Sequence, residues 1–375
     1  MQSFHPSVII RKNSSNNKQS VDLDFATLLI YFHEQKYEHD TNIDNHKPLS
    51  ITSYHDIKNI PNIANNITLH NTIKIYFENG GKSLYYLEYP YHDKSFESLK
   101  LEQFVKRSCD NLMNLEVIVT QNLINLDARI SENRLNAMQT LSFYAQTSDR
   151  LFITDINEDM ISNHLDRIEE SAIYYPWFVY DKSIIAPSIV ASALHSSLAH
   201  NFHFSHSIAN KKIESLSVQT EELSKKRMEI LEQEGINTIV LIPSKGLRIW
   251  GVKMFNSRFN SVNELRVMKH IKRGLKSLSR RYLFEPNSGS LHDRLFLKIN
   301  NFLFELWENG ALSGTTKDEA YLLESHYDKA NVNSQNRLDF TLHIAISRPL
   351  EYITIKLNRI SDSDDTLPAK ISVES

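Results

Sequence analysis

What most constrains this chain is an alternation of helical and extended periodicity that repeats through its first half. Ile67–Phe77 carries apolar residues at Leu69, Ile73, Tyr76 and Phe77, a spacing that suits one helix face, and it stops at Asn79-Gly80-Gly81, a glycine C-cap signal. Ser83–Tyr89 is then aromatic and aliphatic, as a strand is. The pattern recurs: Leu99–Leu112 reads as helix and Leu115–Thr120 as strand, Leu135–Gln146 as helix and Leu151–Asp155 as strand. Phe25–Tyr31 reads as a buried strand ahead of them all. Apolar helix faces recurring between strands have to cover a sheet, so the expected fold class is α/β (α+β), with mixed sheets flanked by helices.

The second half is organised differently. Lys211–Glu234 is charged and rich in helix formers, with Ile213, Leu216, Leu223, Ile230 and Leu231 on an apolar side, and Gly235 ends it. Ile236–Ile242 and Leu247–Val252 read as strands, and Val262–Tyr282 and Leu291–Trp307 as long helices, the second stopped at Asn309-Gly310. Along Leu338–Ser347, Leu338, Phe340, Leu342, Ile344 and Ile346 alternate with polar residues, the cleanest strand signal in the chain. Ile353, Ile355 and Leu357 alternate in the same way. At the other end Val8, Ile9 and Ile10 form a short extended piece tethered by the polar Arg11–Ser20. A strand on a loose tether cannot bury its faces locally and needs a sheet edge on this subunit or a neighbour. The expected division is an arm and linker (1–20), an α/β domain (21–210), a connecting charged helix (211–235), a C-terminal core domain (236–360) and a tail (361–375).

Composition and motifs then exclude several function classes. With 41% hydrophobic and 23% charged residues over 375 positions, the chain has apolar material for a sizeable core. Lys plus Arg is 42 against 45 for Asp plus Glu, which argues against a dedicated nucleic-acid binder. Cys109 is the one cysteine, so neither an internal disulfide nor a thiolate zinc cluster is expected. No apolar run approaches the roughly 18 residues of a membrane span. The start, Met1-Gln-Ser-Phe-His-Pro, lacks a basic head followed by a hydrophobic stretch, so cytoplasmic assembly is expected. Neither glycine-rich nucleotide motif nor a G-x-S-x-G elbow occurs, and no cofactor or catalytic residue is expected. His195, His200, His203 and His206 cluster, but with Phe202 and Phe204 interleaved and no carboxylate in step they read as packing or surface histidines. Asp149, Arg150 and Asp155 bracket a strand and read as structural. The helix Val262–Tyr282 carries Arg266, Lys269, Lys272, Arg273, Lys276, Arg280 and Arg281 against Glu264, a stripe that attracts an acidic partner or is simply a solvated face.

Several short segments, in order, resemble the tail sheath proteins of contractile phages, R-type pyocins and phage-tail-like injection systems. Phe77-Glu78-Asn79-Gly80-Gly81 is similar to F-x-N-G-G, and Asp149-Arg150-Leu151 to D-R-[FL]. Tyr174-Tyr175-Pro176-Trp177 is similar to Y-Y-P-W, Gly235-Ile236-Asn237 to G-[VI]-N, and Gly246-Leu247-Arg248-Ile249-Trp250-Gly251 to G-x-R-[VI]-W-G. Phe284-Glu285-Pro286-Asn287 matches F-E-P-N, and Leu306-Trp307-Glu308-Asn309-Gly310-Ala311-Leu312 resembles L-W-x-x-G-A-L. Pro6-Ser7-Val8-Ile9-Ile10 stands where the family has P-G-V-Y-[VI]. The resemblance implies a non-enzymatic subunit of hexameric rings, stacked helically around an inner tube protein and joined to a baseplate and to other sheath paralogues, that contracts to drive the tube. It implies terminal strands exchanged between subunits, here Val8–Ile10 and Ile353, Ile355 and Leu357. No nucleic acid or membrane insertion is implied. The basic stripe is then expected to face the tube. Another structural or baseplate component, or an α/β enzyme without a recognisable motif, is the alternative.

Overall fold

The computed structural model describes residues 25–34, 47–60, 63–91, 96–112, 114–123, 131–161, 165–201, 203–216, 218–285, 288–325, 338–348, 354–356 and 372–374. Its strands are β1 (Ala26–Glu34), β2 (Leu49–Ile51), β3 (Leu84–Tyr91), β4 (Leu115–Gln121), β5 (Leu151–Asp155), β6 (Ser171–Tyr175), β7 (Phe178–Tyr180), β8 (Ser183–Ile185), β9 (Ile236–Ile242), β10 (Gly246–Trp250), β11 (Tyr321–Ser325), β12 (Phe340–Ile344), β13 (Thr354–Lys356) and β14 (Ser372–Glu374). Its helices are α1 (Ile67–Glu78), α2 (Ser98–Cys109), α3 (Ser131–Thr147), α4 (Glu158–Ile161), α5 (Pro187–Asn201), α6 (Lys225–Gln233), α7 (Val262–Arg280), α8 (Gly289–Glu308) and α9 (Lys317–Ala320).

One eight-stranded sheet, in the order β10-β9-β6-β5-β4-β1-β3-β2, organises the molecule. From β9 through β3 neighbouring strands run parallel; β10 and β2 close the two edges antiparallel. Parallel neighbours need long crossovers, which the helices supply, and helices on both faces leave the central strands dry. Accordingly β4, β5 and β6 are buried along their whole length. Alternate residues of β1 feed two cores. Leu29 and Tyr31 pack with α1, α5, α7 and α8, whereas Leu28, Ile30 and Phe32 pack with α2, α3 and α6. The β10 edge is covered by the segment after α5, where the Asn210 and Ile213 amides donate to the carbonyls of Ile249 (2.8 Å) and Leu247 (2.9 Å). β2 keeps the other edge short, which limits pairing in the wrong place.

The C-terminal elements sit against the first core. α7 and α8 approach closely at Gly274, where a Cβ would lie 2.2 Å from the Phe302 ring. β11 and β12 form a two-stranded antiparallel sheet on α8, with the His292 ring stacked 5.4 Å from Phe340. β13 and β14 form another, pairing Ile355 with Val373.

Two expectations need correction. The boundary at 236 runs through the sheet, because β9 pairs with β6 and β10 follows it. The charged helix expected over 211–235 is confined to α6; upstream, Lys212 forms a bridge with Arg248, and the buried Ile213 and Leu216 pack from irregular chain. Hydrogen bonding to the open β10 edge outcompetes helix propensity there. Val8, Ile9, Ile10, Ile353 and Leu357, given above as arm residues, lie outside the described residues. Ile355 pairs within its own chain, with β14.

Asp155, at the end of β5, is buried and accepts hydrogen bonds from the Ser188 amide (2.6 Å) and hydroxyl at the start of α5. Burial pushes its carboxyl from 3.8 up to about 7, against the lowering by those bonds. A raised folded-state value means the group's contribution to stability is complete below about pH 4 and is lost as the pH climbs to about 7, with a slope of at most about 1.4 kcal/mol per pH unit. Asp155→Asn should therefore gain stability relative to the native chain between about pH 5 and about pH 8 in thermal melts. An offset independent of pH would show that the carboxyl does not titrate there.

Candidate assembly surface

α7 opens at Ser261, whose hydroxyl caps the Glu264 amide at 3.3 Å, and the Glu264 carboxylate accepts from the Asn260 amide (2.8 Å) and Arg348 (2.5 Å). From there its cations recur every three or four residues, a rise of about 4.5–6 Å. That spacing brings them beneath the starts of β4, β5 and β6. Arg266 binds both carboxylate oxygens of Glu116 on β4, at 2.8 and 3.2 Å, and contacts His195 Nδ1 at 2.9 Å. Lys269 pairs with Glu170 at 3.2 Å and donates to the Arg150 carbonyl. Lys272 pairs with Asp149 at 2.6 Å, and Arg273 donates to the Leu115 carbonyl at 3.3 Å. Arg150 itself turns away to the carbonyls of Cys109 (2.8 Å) and Leu112 (3.2 Å), closing the end of α2.

The basic stripe therefore divides. Arg266 and Lys269 are 1% and 3% exposed and their charge is consumed inside the chain, so the expected tube-facing role does not extend to these two. Lys272 and Arg273 are half-buried, and Lys276 and Arg280 remain at the surface with Arg281. What the sequence could not display was the identity of the partners, since Glu116 stands 150 positions from Arg266. Burial and the Arg266 charge push the His195 imidazole well below its ordinary range, and burial does the same to His270. These histidines are neutral packing groups.

The other motif residues are joints between elements. Asn79 donates to the carbonyls of Ile75 and Glu214 and accepts from the Glu214 amide, at 2.9–3.2 Å. The Trp177 indole donates to the Ile156 carbonyl (2.9 Å), after a cis Tyr175-Pro176 bond, and Tyr175 donates to Glu221. Asn237 bridges β6 to residue 253: it donates to the carbonyls of Ile173 (3.1 Å) and Lys253 (2.9 Å) and accepts from the Lys253 amide (2.6 Å). Gly251 leaves no room for a Cβ, which would meet Asn237 Oδ1 at 2.7 Å. Arg248 donates to the Asn210 carbonyl (2.6 Å), Glu285 pairs with Arg294 (2.6 Å) and the Trp307 indole donates to the Gly314 carbonyl (2.9 Å). Gly235 and Gly310 turn the chain with positive φ, and Trp250 is 52% exposed. Pro286 and Asn287 lie outside the described residues.

These groups do not converge on a reaction centre. At the strand ends where an open α/β sheet would hold a ligand, between β1 and β4, the Tyr31 hydroxyl accepts from Asn66 and Asn122, each at 2.7 Å, and fills the crevice. A polar depression lined by Gln146, Glu169, Glu170, Asn256, Ser257 and Arg258 has its buried carboxylate neutralised by Lys269. Among the described residues no group of three or more His, Cys, Asp or Glu could hold a metal ion, and no helix is long and apolar enough to cross a membrane.

Comparison with known proteins fits this picture of joints and surfaces. Residues 255–359 match the family described as phage tail sheath C-terminal domain. The fold resembles a sheath chain of an extracellular contractile injection system, the PVC sheath complex in its contracted state, with a TM-score of 0.72 and 19% identity over 97% of this chain and all of that one. The helical sheath of the anti-feeding prophage, also contracted, gives 0.72 and 19% over 96% of this chain and all of that one. A sheath tail protein from Listeria innocua gives 0.55 and 9% over 87% of this chain and 96% of that one. No curated protein matches the sequence.

Replacing Arg266 by Met leaves the buried Glu116 carboxylate unpaired and should cost about 3–5 kcal/mol in chemical denaturation. Adding Glu116→Leu should recover most of that loss. If the two losses simply add, the pair is not coupled.

Proposed function

We propose that this chain, which carries a phage tail sheath C-terminal domain and the fold of sheath proteins, is a structural subunit of a contractile sleeve. In this reading copies form hexameric rings, the rings stack helically around an inner tube, and shortening of the stack drives the tube outward. The observation that carries the reading is the likeness to contracted-state sheath chains along nearly the whole length, combined with the matched C-terminal domain. The work comes from repacking of subunit surfaces and needs no nucleotide, cofactor or catalytic group. Assembly takes place in the cytoplasm before the particle acts.

The architecture supplies suitable parts. A rigid body built on one sheet ends in two small sheets, β11–β12 and β13–β14, each two-stranded and too small for independent stability in water. Strand addition from a neighbour would complete them. The N-terminal piece Val8–Ile10, tethered by Arg11–Ser20, is the natural donor; the C-terminal strand in Ile353–Leu357, paired with β14 in the single chain, is its counterpart once that pairing is given up. Such main-chain links hold subunits together while the tethers let the bodies rotate. In this reading the C-terminal unit begins after β10, a division that the extent of the family match supports.

A second reading is a sheath copy specialised for the end of the sleeve. A chain in the anti-feeding prophage baseplate shares the fold, which supports this reading.

Electron microscopy of the expressed protein tests the assignment: hollow ridged cylinders or stacked rings are expected. Deleting residues 1–20 should leave a folded chain, judged by an unchanged melting transition, that forms no sleeves. Normal sleeves from that truncation would refute strand exchange.

A further inference from the structure

Phe284 is the most exposed large apolar side chain described, at 85%, and its backbone is held at φ +71° in the turn between α7 and α8. A bulky residue rarely occupies that region, and an aromatic ring held there in water gains nothing from its own fold. Lys276, Arg280 and Arg281 precede it at the end of α7, exposed and without a carboxylate partner among the described residues. The nearby Glu285 is occupied by Arg294. The turn thus presents an aromatic knob on a basic collar.

The same chain carries a surface of opposite character. Along β11, Tyr321 and Leu323 face α8, so Leu322, 51% exposed, and Glu324 face outward. Their cross-strand neighbours are His343 and Thr341. α9 adds Asp318 and Glu319, both exposed. Glu319 is engaged with Thr315 and Thr316; among the described residues Glu324 meets His343 at 3.6 Å and Asp318 has no partner. At two other exposed apolar positions near carboxylates, salt bridges take up most of the charge. Lys100 and Lys106 answer the acids around Leu99, and Lys225 and Lys253 those around Ile230.

We propose that Phe284 of one copy seats on the Leu322 face of the next, with Lys276, Arg280 and Arg281 set against Asp318, Glu319 and Glu324. The inference rests on the reading of the chain as self-assembling and adds a contact between bodies, separate from the exchanged arms. A two-fold contact through Phe284 is disfavoured because the basic collars would meet. Pairing of unlike surfaces is heterologous, the kind that propagates into rings or helices. The charges steer encounter and fix register, and salt weakens them.

The test uses full-length chains carrying Phe284→Cys or Leu322→Cys, mixed and then oxidised; Cys109 is buried and does not compete. Crosslinked dimers should join position 284 of one chain to position 322 of another. Predominance of 284–284 or 322–322 dimers, or no crosslink at all, overturns the proposal. Adding Arg280→Glu and Arg281→Glu should lower the yield about tenfold, and Asp318→Lys with Glu324→Lys on the other chain should restore it. Failure of that rescue also counts against the contact. Microscopy separates the two readings: sleeves without the 284–322 crosslink refute this contact alone, whereas the crosslink without sleeves refutes the sleeve and leaves the contact standing.

Discussion

The junction of α7 with the starts of β4, β5 and β6 is the constraint on which the rest of the structure depends. Its cations recur at helical spacing, and the groups that receive them, Glu116, Glu170, Asp149 and the carbonyls of Leu115 and Arg150, lie at the same end of neighbouring strands. Apolar packing alone would tolerate a helix sliding or turning over the sheet. Charges buried this deeply do not, because any shift that breaks a pair leaves an ion without water or partner. The junction therefore contributes orientation more than net stability. It fixes α7, and through the close approach at Gly274 it fixes α8 and the small sheet of β11 and β12.

The proposed role, a sleeve subunit that transmits force, calls for that kind of body. The motif residues serve the same end, closing gaps between elements: Asn237 between β6 and residue 253 and Asn79 between α1 and residue 214, with three hydrogen bonds each, and Trp177 between β6 and the end of β5 with one. Buried amides and indoles with fixed partners admit fewer alternative arrangements than methyl groups do. The crevice between β1 and β4, where related architectures bind ligands, is spent on a Tyr31 hydroxyl bonded to two amides.

Much of this was legible in the residues, and the failures have physical causes. The alternation through residues 67–155 gave its helices and strands because α1 and α2 carry one-sided apolar faces and the strands between helices are short β-branched, aliphatic or aromatic runs, and Leu151–Asp155 came out with its bounds intact. α5 carried no such stripe. It is buried nearly all round, and its Ser188, Ser192 and Ser196 read as polar although they are enclosed. The basic stripe of α7 looked like surface because pairing over more than a hundred residues leaves no local trace. Residues 211–224 looked helical by composition, but an unpaired sheet edge offered their backbone a better partner. Family resemblance located the joints without revealing what they join. Phe284 passed as part of a motif, and only its backbone angle and exposure set it apart.

In the proposed sleeve, rigidity and mobility fall on different parts of one chain. The eight-stranded sheet has its β10 edge covered by the 210–213 segment and its other edge reduced to the short β2, so it offers little for another chain to extend. The incomplete sheets lie instead in the C-terminal part, beyond the α7 junction. Strand exchange is thereby directed to the small sheets. Links of that kind keep their hydrogen bonds while bodies rotate, since a ladder follows its strands and a tether absorbs the angle. Contacts between bodies, by contrast, must break and re-form when the lattice changes. A knob and collar of modest area suits that duty, because rim charges screened by solvent guide a contact without making it irreversible.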